Sequence, residues 1–199
     1  YVADHPDFAG YRGDPHVRVM EELCRQGIPA IILFGHDSTG RDLAPRLAAR
    51  LGAGIAPDCV GLSVDPQSRR LLATRPIYGG NLRAVLAMDS DPQIATLRPK
   101  VIEAAVRKEG QTTEIVPLSV NLEASSRKVK VLDQVKEQAA GVRLEDAEIV
   151  VTGGRGIEDP EGVKIIEELA RTLGTAVGAT RGSVDAGLFP GELQVGLTG

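Results

Sequence analysis

The stretch "VVTGGRGIEDPEG", residues 150–162, sets three glycines around one arginine, between two valines and an Asp-Pro pair. Apolar residues running into a glycine turn predict a strand. Asp159 as N-cap and Pro160 as first helical residue predict a helix behind it. Such a turn lies at the carboxyl end of a strand and leads to a helix amino terminus, where free N–H groups and the helix dipole favour an anion, typically phosphate. Gly153, Gly154 and Gly156 permit close backbone approach and positive φ. Arg155 adds a planar fork of donors matched to phosphate oxygens. The same residues also suit a tight strand-to-helix connection with a solvated arginine.

A second constellation is "GATRGSVDAGLFPGELQVGLTG", residues 178–199. Thr180 and Arg181 fall at the carboxyl end of the neighbouring strand. Arg155 and Arg181 then face one crevice from adjacent strand ends, the place where open α/β sheets bind ligands. Two cations there suit a diphosphate at one and an electron-rich ring at the other. Val195, Gly196, Leu197 and Thr198 form a small-residue turn with a hydroxyl, equally compatible with an ordinary hairpin. The dinucleotide fingerprint G-x-G-x-x-G is not met, because Asp159 stands where its last glycine belongs. Thr180 and Arg181 replace the acid expected at the end of the second strand, which disfavours NAD. NADP stays open, since an arginine there can meet a 2′-phosphate.

The elements that must hold these residues are legible from periodicity. Residues 149–179 form one βαβ unit of about 30 residues. Its helix, 160–174, turns Val163, Ile166, Leu169, Ala170 and Leu173 toward the sheet. Its strands are "EIVVTGG" (148–154) and "TAVGATR" (175–181). Earlier in the chain "YVADH" (1–5) reads as a strand. "PHVRVMEELCRQG" (15–27) reads as an amphipathic helix with Val19 and Leu23 on its apolar face, beside Val17 and Met20, and with Gly27 ending it. "PAIILFG" (29–35) is a continuous apolar run, the mark of a strand buried on both faces of a parallel sheet. "DSTGRDLAPRLAARLG" (37–52) is a helix that Asp37 or Ser38 can cap and Gly52 can close. Pro45 inside it costs a hydrogen bond or bends the axis. "GIAPDCVGLSVD" (54–65) and "RRLLATRPIYGGNLRAVLAMD" (69–89) have an antiparallel rhythm turning at "DPQS" and broken at "YGGN". "QIATLRP" and "TTEIVPLSVNL" (112–122) add two strands. The polar, aperiodic stretch 121–128 marks a boundary between domains 1–122 and 123–199.

Composition narrows the classes. The chain has 199 residues, 42% of them apolar and 3% aromatic, enough aliphatic side chain for packed α/β cores. A net charge of −4 gives no basic surface for nucleic acid. No apolar run approaches the ~20 residues of a membrane span. Cys24 and Cys59 fit no metal spacing and read as isolated buried thiols of a reducing compartment, and the three histidines do not cluster. No metal site and no acid–base catalytic residue is predicted.

Taken together and in order, "VVTGGRGI", "AVGATRGSVDAG" and "QVGLTG" resemble the FAD domain of the electron transfer flavoprotein alpha subunit. "GRDLAPRLAARL", "DCVGLSVD" and "TRPIYGGN" look like that family's amino-terminal domain. The resemblance spans nearly all of the chain. It implies an α/β fold with a Rossmann-like amino-terminal domain and a doubly wound, parallel-sheet FAD-binding domain. It implies a heterodimer with a beta subunit and a cytoplasmic location, or the mitochondrial matrix in a eukaryote. Electrons would come from acyl-CoA dehydrogenases or related donors, as in fatty acid β-oxidation, and pass to a quinone reductase, ferredoxin or similar acceptor. By the same resemblance, Arg155 meets the FAD phosphates and the Thr180 hydroxyl, where the family usually has Ser, reaches the flavin. Arg181 lies over the ring, and Val195, Gly196, Leu197 and Thr198 wrap it. Leu197 departs from the family's usual Gln, so a polar contact is lost there. The family has further chain at both ends, including an S-G-A-x-Q-H turn beyond the position of Gly199. "TRPIYGGN" resembles the electron-bifurcating branch, with a place near the subunit interface, and is also compatible with a plain strand bulge at Gly79 and Gly80.

If a flavin is held this way, the expected mechanism is electrostatic. Reduced flavin carries negative charge, which a fixed cation stabilises. A unit pair at ~4 Å with an effective dielectric of ~20 interacts by about 4 kcal/mol. At about 59 mV per tenfold change in a one-electron couple, solvent screening leaves a shift on the order of 100 mV. Two rival readings stand beside this one: an NADP-binding domain of an oxidoreductase, and a scaffold whose main work is subunit association.

Overall fold

The computed structural model describes residues 1–108, 110, 112–119, 122, 129–133 and 144–196. The chain divides into two compact units, Tyr1–Leu132 and Asp133–Gly199. Apart from Leu122, the expected boundary stretch 121–128 lies outside the described residues, as do 134–143.

The first unit is α/β. Helix α1 (Gly13–Gly27) leads to β1 (Ile31–Gly35), α2 (Ser38–Leu51) and β2 (Ile55–Cys59). Then come β3 (Gly61–Val64), β4 (Leu71–Ile77), β5 (Leu82–Ala87) and β6 (Gln93–Leu97). A parallel sheet runs in the order β1-β6-β2, and an antiparallel sheet in the order β3-β4-β5. Alternation along β6 shows how they stack. Ile94 packs with Val17, Cys24, Leu43 and Leu47 of the helices. Its neighbour Ala95 packs with Leu71 and Ala73 of β4. The parallel sheet therefore has helices on one face and the antiparallel sheet on the other. Each fully buried aliphatic such as Leu47 or Ile94 contributes roughly 1.5–3 kcal/mol.

Local chemistry explains α2. The Asp37 carboxylate accepts from Gly40 N at 2.8 Å, and Gly52 closes the helix in the left-handed region. Gly40 is glycine for a packing reason: a Cβ there would lie 1.8 Å from the Gly35 carbonyl oxygen, so helix and strand could not meet. The helix runs unbroken through Pro45.

Several expectations are corrected. "PAIILFG" is parallel but lies at a sheet edge, and Leu33 is 54% exposed rather than buried. Residues 55–59 join the parallel sheet, so the antiparallel rhythm starts only at Gly61. "YGGN" is the turned tip of the β4–β5 hairpin, with Tyr78, Gly79 and Gly80 at positive φ, not a bulge. "YVADH" and "TTEIVPLSVNL" form no strand among the described residues; Val2 and Pro117 make a lone parallel bridge. Helix α1 buries Val17, Glu21 and Cys24, with Val19 and Leu23 only half-buried. Its C-cap is Ile28, in the left-handed region, one residue beyond Gly27. Glu21 can face the core because Arg18, Arg25 and Arg50 surround its carboxylate at 3.4, 2.8 and 2.9 Å. Both cysteines are buried free thiols, and burial pushes each thiol pKa up.

The second unit holds β7 (Val150–Gly153), α3 (Pro160–Leu173), β8 (Ala176–Ala179) and the short α4 (Arg181–Asp185). Strands β7 and β8 are parallel, and Gln194 bridges to Ala179 in parallel on the far side of β8. On α3, Ala170 is buried and Val163 and Ile166 half-buried, while Leu169 and Leu173 are exposed. The two strands paired among the described residues are too narrow to cover the wide apolar face that the periodicity predicted. Among the described residues no helix is long and apolar enough to cross a membrane, and no group of His, Cys, Asp and Glu is arranged to hold a metal.

Candidate functional site

The paired strands β7 and β8 end at Gly153 and Ala179, opposite one another in the register. Each strand end turns directly into one of the predicted segments. After β7 the chain makes a tight turn in which Ile157 N donates to Gly154 O at 3.0 Å. After β8, Thr180 N-caps α4 with no side-chain capping bond, and Thr180 N donates to Gly153 O at 2.9 Å.

Ser183 joins the two tips. It is fully buried, and its hydroxyl lies 3.0 Å from Gly153 O and 2.9 Å from Thr180 O. One proton serves both carbonyls, so the end of β7 and the start of α4 share a single donor. Gly182 beside it leaves room for Arg155: a Cβ on Gly182 would lie 3.3 Å from Arg155 Nε. The Arg155 side chain therefore rests on the backbone next to Arg181, and the structure brings the two segments together. Among the described residues Arg155 is exposed and has no carboxylate partner.

Arg181 is the first residue of α4 rather than the last of β8, and its Nε sits 3.3 Å from Asp185 Oδ2. Both partners are well exposed, and such a pair contributes at most about 1 kcal/mol. Thr180 is exposed, with its hydroxyl 3.5 Å from Ser183 Oγ. Val195 N donates to Ala179 O at 2.8 Å, which fixes the following turn at the carboxyl end of β8. Gly196 there has φ 106, a conformation that favours glycine. Leu197 and Thr198 lie outside the described residues.

Two details of the glycine turn differ from expectation. None of Gly153, Gly154 and Gly156 has positive φ. Gly153 is small because Ile157 Cδ1 and Phe189 Cζ would lie 2.6 and 2.9 Å from a Cβ, so the turn is packed from inside. The amino terminus of α3 is not open to an anion either. The Asp159 carboxylate accepts from Gly162 N at 2.8 Å and places negative charge at that end. The acid that made a good cap also excludes a phosphate there. Among the described residues Arg155, seated at α4, is a cation with no carboxylate partner.

Ser183 and Gly182 were missed by the sequence reading. Their signal was the spacing Thr-Arg-Gly-Ser, which puts a hydroxyl one helical turn after an N-cap and a missing Cβ between them.

The residues present fit a flavin nucleotide. Among the described residues a guanidinium without a carboxylate partner, an exposed hydroxyl and a lightly held second guanidinium are carried by segments at one strand edge. A backbone turn tied to the same edge stands beside them.

Comparison with known proteins gives the chain its relatives. Residues 1–123 match the family model "Electron transfer flavoprotein domain", and residues 143–199 match "Electron transfer flavoprotein FAD-binding domain". The chain is 42% identical over 200 residues to an "Electron transfer flavoprotein subunit alpha" of Thermoanaerobacterium thermosaccharolyticum, covering all of this chain and 60% of the relative. It is 38% identical to "Protein FixB" of Clostridium saccharobutylicum, covering all of this chain and 59% of that protein. It is 32% identical to "Lactate dehydrogenase (NAD(+),ferredoxin) subunit LctC" of Acetobacterium woodii, covering all of this chain and 47% of that subunit. The chain thus spans about 60% of the length of the first two of these relatives.

Proposed function

Because the chain belongs to the electron transfer flavoprotein family, we propose that it is the FAD-holding part of an electron carrier's alpha subunit. When bound, FAD supplies the accepting and releasing of electrons. The chain's own residues supply binding, orientation and charge. Arg155 takes the phosphate region by charge-assisted hydrogen bonds. Thr180 offers its hydroxyl to the flavin. Arg181 leaves Asp185 at little cost, because their pair is exposed, and sets a positive charge by the ring. Val195 and Gly196, with Leu197 and Thr198 after them, wrap the cofactor. No residue is assigned a role as acid or base.

The observation that carries this reading is the seat of Arg155 on Gly182, at tips tied together by Ser183. The match of residues 143–199 to a FAD-binding domain favours a flavin over NADP. The proposed partners are a beta subunit and, as donor, an acyl-CoA dehydrogenase or related flavin dehydrogenase. The proposed location is the cytoplasm. Membership of the bifurcating branch is supported only by the likeness to the lactate dehydrogenase subunit and by "TRPIYGGN".

The test is a spectroelectrochemical titration of the FAD-loaded protein and its Arg181→Ala variant. The expected result is a reduction potential lower in the variant, on the order of 100 mV. Equal potentials remove Arg181 from the site.

A further inference from the structure

The other carboxyl strand edge, in the first unit, gathers charge that the flavin site does not use. Strands β1, β6 and β2 are neighbours, and each has polar residues at or beside its carboxyl end. His36 follows β1, Thr96 is the last but one residue of β6 and Arg98 follows that strand, and Asp58 is the last but one residue of β2. Thr96 is 1% exposed and acts as the hub. Its hydroxyl oxygen accepts from Asp58 N at 2.9 Å and lies 2.7 Å from His36 Nδ1. In the tautomer in which Thr96 donates to Nδ1, the imidazole proton sits on Nε2, 3.8 Å from Asp58 Oδ1. Arg98 grips Asp58 with two bonds of 2.9 and 2.7 Å, and Asp58 is held at φ 57.

Two further arginines approach this edge. Arg75 points from the same face of β4 as Ala73 and Leu71, both in the core, one pleat nearer the carboxyl edge. Its Nε is buried and has no hydrogen-bond partner. Its charge is felt by Asp58, Cys59 and His36. Arg41, exposed on the first turn of α2, is felt by His36 as well. Among the described residues His36 feels the positive charges of Arg41, Arg75 and Arg98 and the negative charge of Asp58. Asp37, next along the chain, spends its carboxylate on the cap of α2. The carboxylate is consumed by Arg98. A buried guanidinium nitrogen left without a partner is costly, and no described residue satisfies it.

We infer that this edge is a second anion site, built to take a phosphate dianion between Arg75, Arg41 and His36. A cation is repelled there. A single carboxylate would leave one of the two unspent arginines without a counter-charge, whereas a phosphate dianion balances both and has oxygens enough for a guanidinium fork and the imidazole N–H. The position is also where parallel sheets take ligands, outside the carboxyl ends of their strands. The amino terminus of α2 is not the donor, because Asp37 already caps it. The site lies in the first unit and is independent of FAD. Its ligand is free phosphate or the terminal phosphate of a nucleotide, and the same chemistry serves both.

The experiment is an NMR titration of the 199-residue chain with inorganic phosphate, and separately with adenosine monophosphate, each against chloride at matched ionic strength. Saturable shifts are expected at the amides of Asp58, Thr96 and Arg98, together with a rise in the pKa of the His36 ring. Adenosine monophosphate binding at least tenfold more tightly than phosphate assigns a nucleotide, and equal affinity assigns free phosphate. Arg75→Gln and the exposed Arg41→Glu serve as paired variants, and a tenfold weaker Kd in either supports the site. Shifts that never saturate in the wild type, or an unchanged Kd in both variants, overturn it.

Discussion

The Ser183 hydroxyl lies 3.0 Å from the carbonyl oxygen of Gly153, thirty residues earlier, and both groups are buried. Together with the bond from Thr180 N to the same carbonyl, this contact ties the end of β7 to the start of α4 and keeps Arg155 and Arg181 at one edge. Ser183→Ala removes the side-chain donor while both carbonyls keep their backbone donors, at a cost of about 0.5–1.5 kcal/mol. Urea unfolding is expected to show that loss in the second unit. A Ser183→Ala chain of unchanged stability would mean that the tips are held by backbone alone.

Gly182→Ala tests the seat of Arg155 without touching its charge. The added methyl meets Arg155 Nε at 3.3 Å, and the side chain is flexible enough to yield. Unfolding free energy is expected to change by less than about 1 kcal/mol, because Arg155 is exposed. FAD affinity is expected to fall severalfold as the guanidinium moves. Fluorescence titration of FAD checks this directly.

Gly40→Ala probes the first unit. Its Cβ would lie 1.8 Å from the Gly35 carbonyl oxygen, and backbone cannot yield as a side-chain tip does. Overpacking of this kind costs about 1–3 kcal/mol and more where backbone must shift. A marked drop in the unfolding midpoint of the first unit is the expected outcome.

The Glu21 carboxylate makes acid stability predictable in sign. Its hydrogen bond to Arg25 leads in holding its pKa below the usual 4.5, burial opposes, and Arg50 adds to the lowering. A depressed folded value means that this stability is fully present above the unfolded pKa and is lost as pH falls through the folded one. His36 is also depressed, by burial first, against the pull of Asp58. Its contribution is complete above about pH 6.5 and fades as pH falls. Wild-type stability is therefore expected to decline from near pH 6.5 downward and to steepen below 4.5. Glu21→Gln is expected to flatten the lower limb, which denaturation at a series of pH values measures.

How far the sequence alone reached follows from how local each signal is. Asp37, Gly52, Asp159 and Gly174 announce their helix ends because capping acts over one turn of chain. The "DPQS" turn was legible for the same reason. Leu33, Leu169 and Leu173 were read as buried, yet their exposure depends on which strand is an edge and how wide a sheet is. Strand order is non-local, and periodicity does not encode it. Glu21 on a buried face needed Arg50, distant in sequence, to be seen. At the candidate site, Arg155, Thr180, Arg181, Val195 and Gly196 could be nominated by residue type. The seat that Gly182 provides and the tie that Ser183 makes required the tips to be brought together first.

The central claim is that adjacent strand tips hold FAD through Arg155. Its most direct test is a paired FAD titration of the wild-type chain and Arg155→Ala, followed by flavin absorbance at equilibrium. Loss of a charge-assisted contact worth about 1.5–3 kcal/mol predicts a Kd roughly ten- to a hundredfold weaker in the variant. Titration curves that coincide would contradict the account.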